Sequence, residues 1–296
     1  MKSYHKSVLV REVLAYLAPK PGGVYVDATF GGGGHTRAIL EAEKKCSIIA
    51  FDWDKQALEK NSDEIKQEFG DRFRTIWGNF ANIYTLLRRE KVAHIDGVLA
   101  DFGTSQFQIH HKEGFSFQQD TPLDMRMSPS HGTLTAAQIL NTYSERDLAN
   151  ILWRYGEEQN AKNIVRAVVK YRSSKQFETT AQLVSLIETV TPMRDFKYKR
   201  GIHPATKTFQ ALRIEVNNEL ENITKFLKSV LPFINSGGRI VCISFHSLED
   251  RLVKTFFKEH QDTLQILTNK PIEAQQDELL ENPSSRSAKL RAAQKC

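Results

Sequence analysis

The chain has little cysteine, no long apolar run and no internal repeat or low-complexity tract. Its three cysteines, Cys46, Cys242 and Cys296, lie far apart. That spacing suits neither a disulfide framework nor a zinc site, so no metal is expected and a reducing compartment is. No apolar stretch approaches the roughly 18 residues that would span a bilayer. The opening MKSYHKSVLVREV lacks the long apolar centre of a secretory signal. A soluble, cytoplasmic protein with no membrane partner is therefore expected. Charge of one sign is also scarce: 41 basic against 35 acidic residues leave +6, a mild lean toward a polyanionic partner. At 296 residues the chain can bury a large core, as one big domain or two unequal ones.

What is present centres on Val24 to Thr36, VYVDATFGGGGHT. Val24, Tyr25 and Val26 suit a short buried strand, which ends in Asp27. Four glycines, Gly31 to Gly34, then lead into His35-Thr36-Arg37-Ala38-Ile39-Leu40, which starts like a helix. Glycines permit positive φ and close approach of a ligand, and a helix N-terminus offers free amides. A second apolar run, Ile48 to Phe51, ends in Asp52, 21 residues after Gly31. A carboxylate there can accept bonds from both hydroxyls of a ribose. The order of strand, turn, helix and acid points to a cofactor containing a nucleoside. A dinucleotide fits less well, because the third glycine of G-x-G-x-x-G is replaced by Thr36. Such a turn also serves plain strand–helix packing, and Asp27 can be a simple turn cap.

Further along, the spacing predicts helices over Ser7–Leu17, Lys55–Phe69 and Ile83–Lys91 and strands over Phe73–Trp77 and Asp96–Gly103. Strands alternating with helices imply a doubly wound, mostly parallel sheet. Ligands bind beyond the carboxyl ends of such strands, where Asp27, Asp52, Phe80 and Asp101 all fall. The alternation then stops. Helices are predicted over Thr135–Asn141, Ser144–Tyr155, Ala161–Tyr171 and Thr180–Val190, and a long one from Ala205 through Leu227. A fifth strand over Ile240–Phe245, a helix over Leu248–His260 and a last strand near Thr263–Thr268 close the chain. The division expected is residues 1–107 and 205–296 for the sheet domain, with 108–204 as a mainly helical insertion.

Several long motifs carry a resemblance. DATFGGGGHT (Asp27 to Thr36), GFSF (Gly114 to Phe117), PLDMRM (Pro122 to Met127), YGEE (Tyr155 to Glu158), HPATKTFQALRIEVNNEL (His203 to Leu220), ISFHSLEDR (Ile243 to Arg251) and NPSSRSAKLR (Asn282 to Arg291) follow one another in register. The chain resembles the bacterial 16S ribosomal RNA cytosine-N4 methyltransferases (MraW-like), which use S-adenosylmethionine. The resemblance implies a class I, Rossmann-like α/β core with a helical insertion that recognises RNA. It implies methyl transfer to the exocyclic N4 amine of a cytosine near the decoding centre. The partner would be small-subunit ribosomal RNA or the assembled small subunit, and monomer or homodimer stays open. By position it implies Gly33, Gly34, His35, Asp52, Phe80, Asp101 and Gln108 as cofactor-binding residues. Two departures stand out: DFGTSQFQIH (Asp101 to His110) in place of D-L-G-V-S-S-P-Q-L-D, and DWDK (Asp52 to Lys55) in place of D-R-D-P.

A cytosine amine is a weak nucleophile, so an acceptor for its proton is expected near the fourth strand. Asp101 and Ser105 are the catalytic candidates. Phe107, Phe115 and Phe117 are candidate platforms for a base splayed from its stack. Phe80 reads equally as adenine wall or core. Arg194, Lys197, Lys199 and Arg200, with Arg286, Lys289 and Arg291, read as phosphate contacts or as solvated surface. His246 and Asp250 beside Ser244 and Ser247 do not make a hydrolase triad, since Ser247 and Asp250 fit a helix capping box. A nicotinamide dehydrogenase and a non-catalytic RNA-binding module are the rival readings.

Overall fold

The computed structural model describes residues 6–103, 113–129, 132–191 and 203–296. Helices α1 (Val10–Leu17), α2 (Gly34–Ala42), α3 (Lys55–Phe69) and α4 (Ile83–Arg89) alternate with strands β1 (Val24–Asp27), β2 (Ser47–Asp52), β3 (Phe73–Trp77) and β4 (Ile95–Asp101). Five helices follow: α5 (Ala136–Thr142), α6 (Glu145–Gly156), α7 (Ala161–Arg172), α8 (Thr180–Val190) and α9 (Ala205–Asn217). The chain then runs through α10 (Glu219–Val230), β5 (Ile234–Ser244), α11 (Ser247–Glu259), β6 (Leu264–Ile266), β7 (Ile272–Glu273), α12 (Gln276–Glu281) and β8 (Lys289–Lys295). Residues 1–105 and 220–296 make one compact unit, and residues 106–219 a second.

The first unit is one eight-stranded sheet in the order β3-β2-β1-β4-β5-β8-β6, with β7 also paired to β8. The five strands β3, β2, β1, β4 and β5 are parallel, and β8 runs antiparallel to β5. Successive residues feed opposite faces. Val26, Ile49, Val98 and Cys242 pack with Leu87, Phe226 and Phe257 on one side. Tyr25, Ile48, Leu99 and Val241 pack with Leu17, Ile39 and Ile65 on the other. Both faces are covered, which is why the strands read as continuous apolar runs. This is the doubly wound α/β, Rossmann-like sheet expected from the sequence. Parallel strands also bring the ends of β1, β2 and β4 to a single edge.

In the second unit α5 to α9 bury Ile139, Leu152, Val165, Leu183, Phe209 and Leu212 in one core. Asn217, 7% exposed, fixes the PLDMRM segment through Met125 carbonyl and Met127 amide, both at 2.8 Å. Arg126 forks onto Asp124 at 2.7 and 2.6 Å.

The structure departs from the sequence reading in several places. The single helix expected from Ala205 to Leu227 breaks at Asn218, which takes φ 51° as the cap of α9. Phe209 and Leu212 therefore belong to the helical unit, whose boundary lies at residue 219 rather than 204. β5 begins at Ile234, because Asn235 to Gly238 form a bulge beside Asp96 and do not end the strand. β8, which has no counterpart in the sequence reading, inserts between β5 and β6. Finally, α11 is capped by Glu249, whose carboxylate accepts from the Phe245 and His246 amides at 2.7 and 3.3 Å. Asp250 instead binds the Arg291 guanidinium at 2.6 and 3.0 Å.

Candidate active site at the carboxyl edge of the sheet

β1 delivers Asp27 to the edge, 1% exposed. Its Oδ2 accepts from the Thr36 hydroxyl at 2.7 Å and its Oδ1 from the Thr29 amide at 3.2 Å. These bonds tie both ends of the glycine loop to one carboxylate. Burial pushes Asp27 above the usual carboxylate range, against the charge of His35 and the Thr36 and Thr29 bonds. Thr36, which occupies the third glycine position of the dinucleotide pattern, is thus a buried clamp.

The loop itself is sterically fixed. Gly33 caps α2 at φ 75°, and a Cβ there would meet Ile65 Cδ1 at 2.5 Å. A Cβ on Gly34 would collide with the Ser7 hydroxyl. His35, 6% exposed, turns its Nε2 to the Val8 carbonyl at 2.8 Å, the distance of a donated bond. The amides of Gly34, His35 and Thr36 open the first turn of α2, where no intrahelical acceptor exists.

Asp52 ends β2, with its Oδ2 accepting from the Gly31 amide and its Oδ1 from the Asp54 amide, both at 2.8 Å. Asn61 holds the other side of Gly31 through its carbonyl at 2.9 Å. Each Asp52 oxygen keeps a second lone pair for a hydroxyl donor. Burial pushes Asp52 up to about 6, partly offset by those two amide bonds.

Asp101 ends β4. Its amide donates to Thr29 Oγ1 at 2.7 Å, and its Oδ1 accepts from the Gly103 amide at 3.0 Å. Burial lifts Asp101 to about 6, opposed by His35 and by the Gly103 bond and assisted by Asp27 and Glu249. Phe80 follows β3 in a short turn capped by Asn79. It is half-buried against Phe102 and Phe226, with ring centroids 5.9 and 5.6 Å away. Its packed side is core, and the rest of the ring is open to a ligand.

The edge thus combines desolvated carboxylates, helix-start amides and an aromatic wall. That set fits S-adenosylmethionine. Bound at this edge, the cofactor would be held by Asp52 at the ribose hydroxyls, Phe80 at the adenine, the α2 amides at the methionine carboxylate, and the Asp101 carboxylate on the side of the sulfonium. Thr29, Thr36, Asn61 and Asn79 are supports the sequence reading passed over. Only the placement of Thr36, in register with a missing glycine, signalled one of them.

Ser105, Gln106, Phe107, Gln108 and His110 lie outside the described residues, as do Arg194, Lys197, Lys199 and Arg200. Phe117 lies tilted on His203 at 4.7 Å and meets Phe209 edge to face at 5.2 Å inside the helical unit. Arg291, 5% exposed and held by Asp250, is no phosphate contact. The same pair removes Asp250 from any hydrolase triad. No described helix is long and apolar enough to cross a membrane.

Residues 2–296 match the MraW methylase family. A ribosomal RNA small subunit methyltransferase H from Sulfurihydrogenibium azorense is 46% identical, over 98% of this chain and 99% of its own. Relatives of that name from Kosmotoga olearia and Desulfotalea psychrophila are also 46% identical, each over 98% of this chain and 97% and 98% of their own. An rRNA methylase structure from Streptococcus thermophilus aligns at TM-score 0.42 and 12% identity, over 97% of this chain and 93% of that one. The cofactor is S-adenosylmethionine. The chain belongs to the MraW methylase family.

Proposed function

We propose that the chain methylates the exocyclic N4 amine of one cytosine in small-subunit ribosomal RNA, near the decoding centre, in the cytoplasm. The relatives' shared name, ribosomal RNA small subunit methyltransferase H, supports the RNA and the subunit. Gly33, Gly34, His35, Asp52, Phe80, Asp101 and Gln108 hold the cofactor. When bound, that cofactor supplies a methyl group already activated by the sulfonium.

The chain's own task is alignment and proton management. The amine lone pair is delocalised into the ring and sharpens only as the nitrogen becomes tetrahedral. Asp101, with Ser105 beyond it, accepts a hydrogen bond from the amine and takes its proton as the new N–C bond forms. A carboxylate lifted to about 6 is still ionised at pH 7 and more basic than an ordinary one.

The observation carrying the amine assignment is where the thiols are. Methylation of a cytosine ring carbon commonly needs a cysteine nucleophile. Cys46 and Cys242 are buried, with burial pushing both thiols up, and Cys296 is the terminal residue. None stands at the strand ends beside Asp101. A variant carrying Cys46→Ala, Cys242→Ala and Cys296→Ser should keep most of its turnover, alanine being chosen because Cys242 is fully enclosed. Loss of turnover in a folded variant of this kind, with cofactor affinity intact, would refute the reading.

A further inference from the structure

The nineteen residues between Glu158 and Glu178 carry Lys162, Arg166, Lys170, Arg172 and Lys175 and no acid. Those five cations nearly equal the net charge of +6 of the whole chain. Most of this stretch is α7, whose inner face buries Ile164, Val165 and Val168. Its outer face exposes Lys162, Arg166 and Lys170, spaced four residues apart. They stand about 6 Å apart along the axis and share one face.

Some exposed cations elsewhere are matched. Arg11 pairs with Asp277, Lys55 with Glu59, and Lys225 with Glu221. Among the described residues no carboxylate lies within ion-pair distance of Lys162, Arg166 or Lys170. Lys162 sits in the first turn of α7, which has no acid, so the helix dipole opposes its charge. No ion pair among the described residues holds this stripe in place. The preceding helix α6 leaves Trp153 65% exposed near its C-terminal end, the end that leads into α7. The Arg154 guanidinium lies over the neighbouring Tyr155 ring, 5.7 Å from its centroid.

We propose that the outer face of α7, together with Trp153, is a docking surface for a single-stranded segment of the substrate RNA. Lys162, Arg166 and Lys170 meet successive phosphates, and Trp153 stacks on an unpaired base. Cations that follow a phosphate backbone together with an exposed aromatic are the combination that binds single strands. This rests on the ribosomal RNA substrate proposed above, and within the insertion expected to recognise RNA it assigns the contacts to one helix face and one aromatic side chain.

The test compares wild type with a triple variant, Lys162→Glu, Arg166→Glu and Lys170→Glu, in binding to small-subunit ribosomal RNA across a salt series. The variant should bind at least about tenfold more weakly, and its log–log salt slope should shrink by roughly 2–3, at about 0.7–0.9 per phosphate. S-adenosylmethionine affinity should not change. Separately, Trp153→Ala should weaken RNA binding by roughly fivefold or more, while Trp153→Phe keeps most of it. Wild-type and triple-variant affinities that coincide at every salt concentration would overturn the surface, and would indicate a protein partner or plain solvation there. A wild type that neither binds nor methylates ribosomal RNA would instead overturn the substrate assignment.

Discussion

Asp52 and Asp101 are acids that folding places where their charge is costly. Both rise from 3.8 to about 6, so between those values the folded chain holds protons the unfolded chain has lost. Stability from each therefore falls as pH rises from about 4 to 6, and the penalty is complete above 6. Asp101→Asn keeps an acceptor for the Gly103 amide and removes the charge. At pH 7 it should raise unfolding free energy by at most about 3 kcal/mol, while turnover collapses. Denaturant melts at pH 7 and pH 4.5 check this, since the gain should shrink to about a third at the lower pH. A variant equally destabilised at both would show that Asp101 is structural. The same ionisation governs cofactor binding. Affinity for the sulfonium should weaken as pH drops through about 6, and affinity for the uncharged demethylated product should respond less. Calorimetry in buffers of different protonation heat reads both. Asp52→Ala should lose charge-assisted bonds of about 1.5–3 kcal/mol each, a roughly tenfold or larger fall in affinity. Unchanged affinity in a folded variant would remove Asp52 from the ribose.

The glycine loop is the element on which those residues depend. Gly33→Ala forces a side chain into φ 75° and against Ile65. It should cost about 1–3 kcal/mol and weaken S-adenosylmethionine binding more than a surface substitution of equal stability cost. Thermal melts with and without cofactor separate the two effects. Elements of this kind were legible in the sequence when their pattern was local. Lys55–Phe69, Phe73–Trp77 and Thr180–Val190 stand where their spacing puts them. The break at Asn218 was hidden, because apolar residues keep helical spacing on both sides of one left-handed residue. β8 was illegible for the opposite reason. Lys289 to Lys295 are mostly helix-favouring residues, and only pairing with β5, some fifty residues earlier, and with β6 and β7 makes them a strand. In the site, Asp52 was readable from its distance to the glycines. The Thr36–Asp27 clamp and the Asp250–Arg291 pair were not, because a hydrogen bond leaves no periodicity.

At the scale of the molecule, the chain forms two compact units. The sheet unit carries the desolvated carboxylates of its edge, and the helical unit carries α7 with its exposed cations, the face proposed above for RNA. Central to the proposed function is the identity of the methylated atom. The most direct measurement is mass spectrometry of nucleosides from small-subunit ribosomal RNA incubated with the protein and S-adenosylmethionine. N4-methylcytidine, at one position and lost with Asp101→Asn, is the expected product. 5-Methylcytidine, or methylation of another base, would contradict an edge built from carboxylates without a thiol.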